Sequence, residues 1–270
     1  ARHWITLNEP WCIAFLSHEI GAHAPGLQDR ALAYQAAHHT LLAHGLGLQA
    51  IRAAAPNAVT PLQAGITLNF EPTLPLTDSA ADARAAEQAE ARNPFYGWFS
   101  TPILRGHYGP EVWADAGALA PRVQPGDMAL ISQNNDFIGV NNYTVGRVVD
   151  KNGAPERVRS TSAEYTLMDW EVAPEGLNAL LLRLNKDANG RTPLYITENG
   201  ASYTDTLSGD GRIRDERRTA YYRSYLGAVR DAILAGADVR GYFAWSLMDN
   251  FEWALGYQQF FGIVHVDYAT

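Results

Sequence analysis

The 270-residue sequence has a single cysteine, Cys12, and only three methionines. One thiol excludes an internal disulfide and with it any secreted disulfide scaffold. No apolar run is long enough to span a bilayer and no signal peptide is visible, so a cytoplasmic location is expected. Positive charge is the minority: 21 Lys and Arg stand against 29 Asp and Glu, for a net charge of −8. No basic run exists to neutralise phosphates, which argues against nucleic acid or an anionic membrane as a partner and favours a neutral ligand. Repeats and low-complexity segments are lacking too. No initiator Met precedes Ala1, and Thr270 follows a strand-like stretch from Phe261 to Asp267 with no closing helix. The sequence therefore reads as an excised segment of a larger fold.

What is present is apolar enough, at 47%, to bury a sizeable core as one domain over residues 1–270. Strands are expected at about Trp4 to Leu7, Gln63 to Leu68, Asp136 to Asn141, Leu194 to Thr197 and Val239 to Trp245. Between them lie helical patterns. One runs from about Arg30 to Ala55 with Leu32, Leu41, Leu42, Leu46 and Ile51 near helical spacing, ended by Pro56-Asn57. An Ala-rich one spans about Ala80 to Ala91, with continuation through Trp98 left open. Another opens at Pro174, with Leu177, Leu180, Leu181 and Leu184 on one face and Gly190 beyond its end. The last covers Asp215 to Leu234, with Tyr222, Leu226, Val229 and Ile233 expected inward. The polar stretch from Lys151 to Ser162 is expected to be a surface hairpin. Strands alternating with helices imply an α/β fold with a parallel sheet and crossover helices.

Two strand ends carry the chemistry. Leu194-Tyr195-Ile196-Thr197 runs into Glu198-Asn199-Gly200, and Trp4-Ile5-Thr6-Leu7 runs into Asn8-Glu9-Pro10. Each presents a glutamate beside an asparagine at the C-terminal end of a strand, where parallel α/β folds place their sites. Paired carboxylates flanking one bond are the equipment of glycoside hydrolysis. A lone glutamate is ordinarily a surface or helix-capping residue; the doubled pattern is what distinguishes these two. Seven Trp and thirteen Tyr suit sugar stacking, although core packing accounts for most aromatics.

Together with His23-Ala24-Pro25-Gly26, Gly139-Val140-Asn141-Asn142-Tyr143, Trp170-Glu171 and the stretch from Trp245 to Trp253, these signatures resemble those of the family 1 retaining β-glycosidases, over nearly the whole chain. The resemblance implies a (β/α)8 TIM barrel of which this chain supplies strands four to eight only, lacking the N-terminal βα units and the final helix. It implies Glu198 as the nucleophile and Glu9 as the general acid and base, acting on β-glucosides, with β-galactosides or β-fucosides as side substrates. It implies Asn8 at the sugar 2-hydroxyl, Tyr143 donating to the nucleophile with Asn141 on the same strand end, Glu252 and Trp253 at the outer hydroxyls, Trp245 as stacking platform, Phe261 at the rim and Trp170 as the aglycone wall. Family members usually carry an aromatic where this chain has Asn142. The bland readings are a satisfied strand end for Asn141 and Tyr143 and core packing for the tryptophans. A non-catalytic sugar-binding relative, or an inactive fragment or half of a split barrel, is the competing function.

No cofactor and no metal are expected. His18, Glu19 and His23 miss the zinc-protease spacing, and His38, His39 and His44 do not share one helical face. Gly45-Leu46-Gly47 matches a dinucleotide fingerprint by letter but lies inside a helical pattern. Asn142-Tyr143-Thr144 is a glycosylation sequon in a strand that leaves a glycan no room. Cys12 is expected to be a small buried residue. The partners expected are a β-glucoside or oligosaccharide and a companion polypeptide supplying the rest of the barrel.

Overall fold

The computed structural model of the chain describes residues 1–204 and 206–269. Strand β1 (His3–Asn8) leads through a π-helical turn (Cys12–Leu16) to α1 (Arg30–Ala54), and β2 (Gln63–Phe70) follows. After β3 (Thr73–Pro75) and α2 (Ala80–Ala91), a second π-helical turn (Tyr96–Ser100) runs into α3 (Thr101–Arg105), α4 (Pro110–Ala116) and α5 (Asp127–Ile131). Then come β4 (Phe137–Asn142), β5 (Gly146–Lys151), β6 (Ala154–Val158), α6 (Pro174–Asp187), β7 (Leu194–Asn199), α7 (Glu216–Leu234) and β8 (Val239–Ala244).

The main sheet has the order β1-β2-β4-β7-β8, with every neighbour parallel. Consecutive neighbours joined by helical crossovers are the arrangement expected for part of a (β/α)8 barrel, and five strands leave an open arc. Burial follows position in that arc. Every residue of central β4 is buried, whereas edge strand β1 leaves Trp4 and Ile5 exposed and edge strand β8 leaves Phe243 exposed. Among the described residues, no helix is long and apolar enough to cross a membrane.

Helix α1 begins where expected because the Asp29 side chain accepts from the backbone N–H groups of Ala31 and Leu32, satisfying orphan donors of the first turn. Its inner face is made of small and polar residues more than leucines: Ala33, Tyr34, Ala37, His38, Leu41, His44, Gly45 and Leu48 are buried, while Leu32 and Leu46 are exposed. Gly45 serves close packing; a Cβ there would lie 2.4 Å from the Leu130 carbonyl oxygen of α5. Helix α2 stops at Ala91 and does not run through to Trp98. Helix α6 buries Leu177, Leu180, Leu181 and Leu184 as its spacing predicts.

Three expectations need correction. The inward stripe of α7 is Tyr221, Tyr225, Val229 and Ala232, with Leu226 and Ile233 exposed. The reason is polar: the stacked rings of Tyr221 and Tyr225 bring hydroxyls that accept from Asn199 Nδ2 (2.9 Å) and the Ala173 N–H (3.1 Å), so their burial strands no polar group. The hairpin is β5 and β6, beginning at Gly146, because the apolar first half of β5 pairs with β3. Its turn is Asn152-Gly153, both at positive φ, the twist that two-residue hairpins require. The stretch from Phe261 to Asp267 is irregular, tied down by a bridge between Met248 and Val264; Thr270 lies outside the described residues.

Candidate active site

The site is built at the C-terminal ends of β1, β4 and β7. In each of three ladders the register shifts just before the residues of interest: Ile5 to Asn8 against β2, Val140 to Asn141 against β7, and Ile196 to Asn199 against β8. Such irregularities end regular pairing and re-aim side chains. The β4 shift sets Asn141 opposite Glu198.

Glu9 follows the end of β1 with φ at 48°, a left-handed conformation that a non-glycine residue adopts at a cost. Its N–H donates to the Thr67 carbonyl (3.0 Å) and its carbonyl accepts from Cys12 N (2.9 Å), which holds the turn. The carboxylate accepts from Asn141 Nδ2 at Oε1 (2.7 Å) and from the Cys12 thiol at Oε2 (3.0 Å). Asn141, fully buried, also donates to Asn8 Oδ1 (3.2 Å). Its own Oδ1 accepts from the Thr197 hydroxyl (2.6 Å).

Glu198 Oε2 accepts from the Tyr143 hydroxyl at 2.7 Å. Burial first, and then the charge of Glu9, raise the Glu198 carboxyl to about 7, against the Tyr143 hydrogen bond and the nearby amides of Asn141 and Asn8, which favour its anion. The two carboxyls therefore share one field. Burial raises the Tyr143 phenol as well, helped by the charges of Glu198, Glu9 and Glu252, so it stays a protonated donor. Behind this pair, Asn199 is locked: Nδ2 donates to the Asn142 carbonyl (2.7 Å) and Tyr221, and Oδ1 accepts from Tyr242 (2.6 Å).

The ring of Trp170 lies 4.9 Å from that of Tyr143. Phe261, expected at the rim, is 1% exposed and packs against both rings; it backs the aromatic cluster instead of opening onto the mouth. Trp245 is half-buried, its carbonyl accepting from the Tyr222 hydroxyl (3.2 Å). Glu252 Oε2 accepts from Asn250 Nδ2 (2.9 Å). Trp253, also at positive φ, is exposed and stacks on His23 with centroids 5.4 Å apart. Asn142 donates to the carbonyls of Phe70 and Thr144 (3.0 Å each) from a fully buried position, so it fastens the end of β4. Cavities of about 440 Å³ beside His38, His39 and Asp127, and about 320 Å³ beside Trp11, Tyr34 and Trp98, lie away from the carboxylates.

Cys12 and Thr197 had no assigned part in the sequence reading. Cys12 is half-buried, not sequestered, and donates to Glu9. Its position three residues after Glu9 already places it close to that carboxylate in sequence; the hydrogen bond between them is what the structure adds.

The model for the family described as glycosyl hydrolase family 1 matches residues 1–270. Beta-glucosidase A of Thermotoga maritima is 38% identical over 271 residues, covering 100% of this chain and 59% of the relative. A beta-glucosidase of an Agrobacterium species is 41% identical over 272 residues, covering 98% of this chain and 57% of the relative. The solved family 1 β-glucosidase from Thermotoga maritima in complex with isofagomine lactam superimposes with a TM-score of 0.88 at 38% identity, over 98% of this chain and 59% of that one. The chain thus spans somewhat under two thirds of the length of these relatives.

Proposed function

The chain belongs to glycosyl hydrolase family 1, and from that premise we propose that its site hydrolyses β-glucosides with retention of configuration. The observation that carries the reading is the pair of strand-end carboxylates, Glu9 held by Asn141 and Glu198 held by Tyr143, with Asn141 opposite Glu198 in the sheet register. Glu198 attacks the anomeric carbon while Glu9 gives its proton to the departing oxygen, leaving a glycosyl ester on Glu198. Water then loses a proton to Glu9 and adds to the same carbon, and the Glu198 carboxylate is released.

The assignment of roles comes from the resemblance of the two signatures, and the electrostatics is compatible with it. Glu9 raises Glu198 only while Glu9 is itself charged. When Glu9 carries the proton needed for the first step, that repulsion vanishes, and the Tyr143 hydroxyl with the nearby amides of Asn141 and Asn8 favours the Glu198 anion. Glu252 and the rings of Trp245 and Trp253 supply acceptors and apolar faces suited to a neutral hexose, with Trp170 toward the aglycone. The proposal includes further polypeptide, in the same chain or another, that completes the barrel.

Glu198→Ala tests the proposal. Turnover should be nearly abolished, and azide should restore it by occupying the vacated face, giving the α-glucosyl azide. Near-normal hydrolysis by Glu198→Ala would remove the assignment.

A further inference from the structure

Glu9 must work in two protonation states, and the groups around it must suit both. As a carboxylate it accepts at both oxygens, from Asn141 at Oε1 and from Cys12 at Oε2. As a carboxylic acid it carries its proton on one oxygen, and only a proton facing the leaving group is useful. The surroundings choose between the two.

Asn141 presents two N–H bonds, and two acceptors receive them, Glu9 Oε1 and Asn8 Oδ1. While Glu9 is ionised, turning the amide over would set Asn141 Oδ1 against two oxygens that have nothing to donate. That protection lapses once Glu9 is protonated, because a proton on Oε1 could then donate to a turned amide. Two restraints then remain: Asn8 Oδ1, which still accepts from Asn141 at a long 3.2 Å, and the Thr197 hydroxyl, which donates to Asn141 Oδ1 at 2.6 Å. Room for it comes from Gly139, where a Cβ would lie 2.9 Å from Thr197 Oγ1.

The geometry points to Thr197 as a positioning residue for Glu9: by holding the Asn141 amide with its N–H groups toward Oε1, it keeps the Glu9 proton on Oε2. The inference rests on the reading of Glu9 as general acid and base. Thr197 touches neither carboxylate directly; it acts from β7, through β4, on a residue at the end of β1.

The test separates acid assistance from the rest of catalysis by leaving group. Departure of 2,4-dinitrophenolate needs no proton, whereas departure of an alkyl alcohol does. Thr197→Val, Thr197→Ala and Thr197→Ser are made in the polypeptide as the cell produces it, with Glu9→Gln as reference. Thr197→Val and Thr197→Ala should lower kcat/KM for an alkyl β-glucoside on the order of 10-fold, inside the 10²–10⁴ that a general acid supplies. The dinitrophenyl glucoside should change little, and Thr197→Ser should restore the wild-type ratio. Activity on the dinitrophenyl substrate also reports that the variants fold. Equal losses on both substrates, or no loss on either, would overturn the inference while Glu9→Gln still shows the leaving-group signature. If Glu9→Gln lacks that signature, the acid assignment itself fails and the role of Thr197 falls with it.

Discussion

Glu198 sits between opposing influences. Burial and the Glu9 charge favour its protonated form, and the Tyr143 hydroxyl with the nearby amides of Asn141 and Asn8 favours its anion, leaving the carboxyl at about 7. Only the anion attacks, so for a leaving group that needs no proton, and hence with Glu9 ionised, kcat/KM should rise with pH through about 7. The variants move this acid limb in opposite directions. Tyr143→Phe removes the 2.7 Å donor to the anion, and the limb should shift to higher pH. Glu9→Gln removes the repelling charge, and the limb should shift lower. A pH profile with the dinitrophenyl glucoside, which does not need the Glu9 proton, reads both; an unmoved limb in both variants would contradict the electrostatic account. These residues were legible in the sequence because each stands at a strand end inside a recognisable signature. Thr197 and Cys12 were not, because the part each plays depends on which atoms face it across the sheet, and chain order does not state that.

Helix α1 and strand β1 meet at His44. With the Thr6 hydroxyl donating to the Gly65 carbonyl, His44 Nδ1–H donates to Thr6 Oγ1 at 2.7 Å. Its Nε2 is buried without a partner among the described residues. Burial, reinforced by the charge of Arg52, pushes the ring down from 6.5 to about 4. The folded state therefore holds His44 neutral over a range in which the unfolded chain binds a proton. Stability from this group is complete above pH 6.5 and is lost as pH falls toward 4, amounting to roughly 3 kcal/mol. In urea titrations the wild-type stability should drop across that window, and His44→Gln should flatten the slope whatever it does to the absolute value. An unchanged slope would mean that His44 titrates normally. At this scale the sequence placed the five main-sheet strands and the long helices well, since period and caps mark them. It misjudged the inner face of α7, because a tyrosine can be buried if its hydroxyl is satisfied, and the partners that satisfy it come from distant segments.

The whole molecule is an arc whose edges are unfinished. Trp4 and Ile5 on β1, Phe243 on β8, and Leu247, Met248 and Phe251 beyond it are all exposed, so large apolar side chains stand uncovered at both edges of the sheet. Two free parallel edges invite further strands. The order of the strands was legible only through the resemblance to a barrel, in which consecutive strands are neighbours; alternation alone gives a parallel sheet without its order. That the apolar flanks of the strands at Trp4 and Trp245 would face water followed from the same resemblance, because a barrel's edge strands are covered only by the strands this chain does not supply, and Trp4, Ile5 and Phe243 are exposed there. The expectation is that the 270-residue chain alone self-associates and is inactive, and that the polypeptide bearing the complete barrel turns over. The measurement that tests the central claim most directly is trapping with a 2-deoxy-2-fluoro-β-glucoside carrying an activated leaving group, followed by peptide mass mapping. In the barrel-complete polypeptide, the peptide containing Glu198 should gain one fluoroglucosyl mass while the chain alone stays unlabelled; a label on any other residue, or turnover with no covalent label at all, would contradict the account.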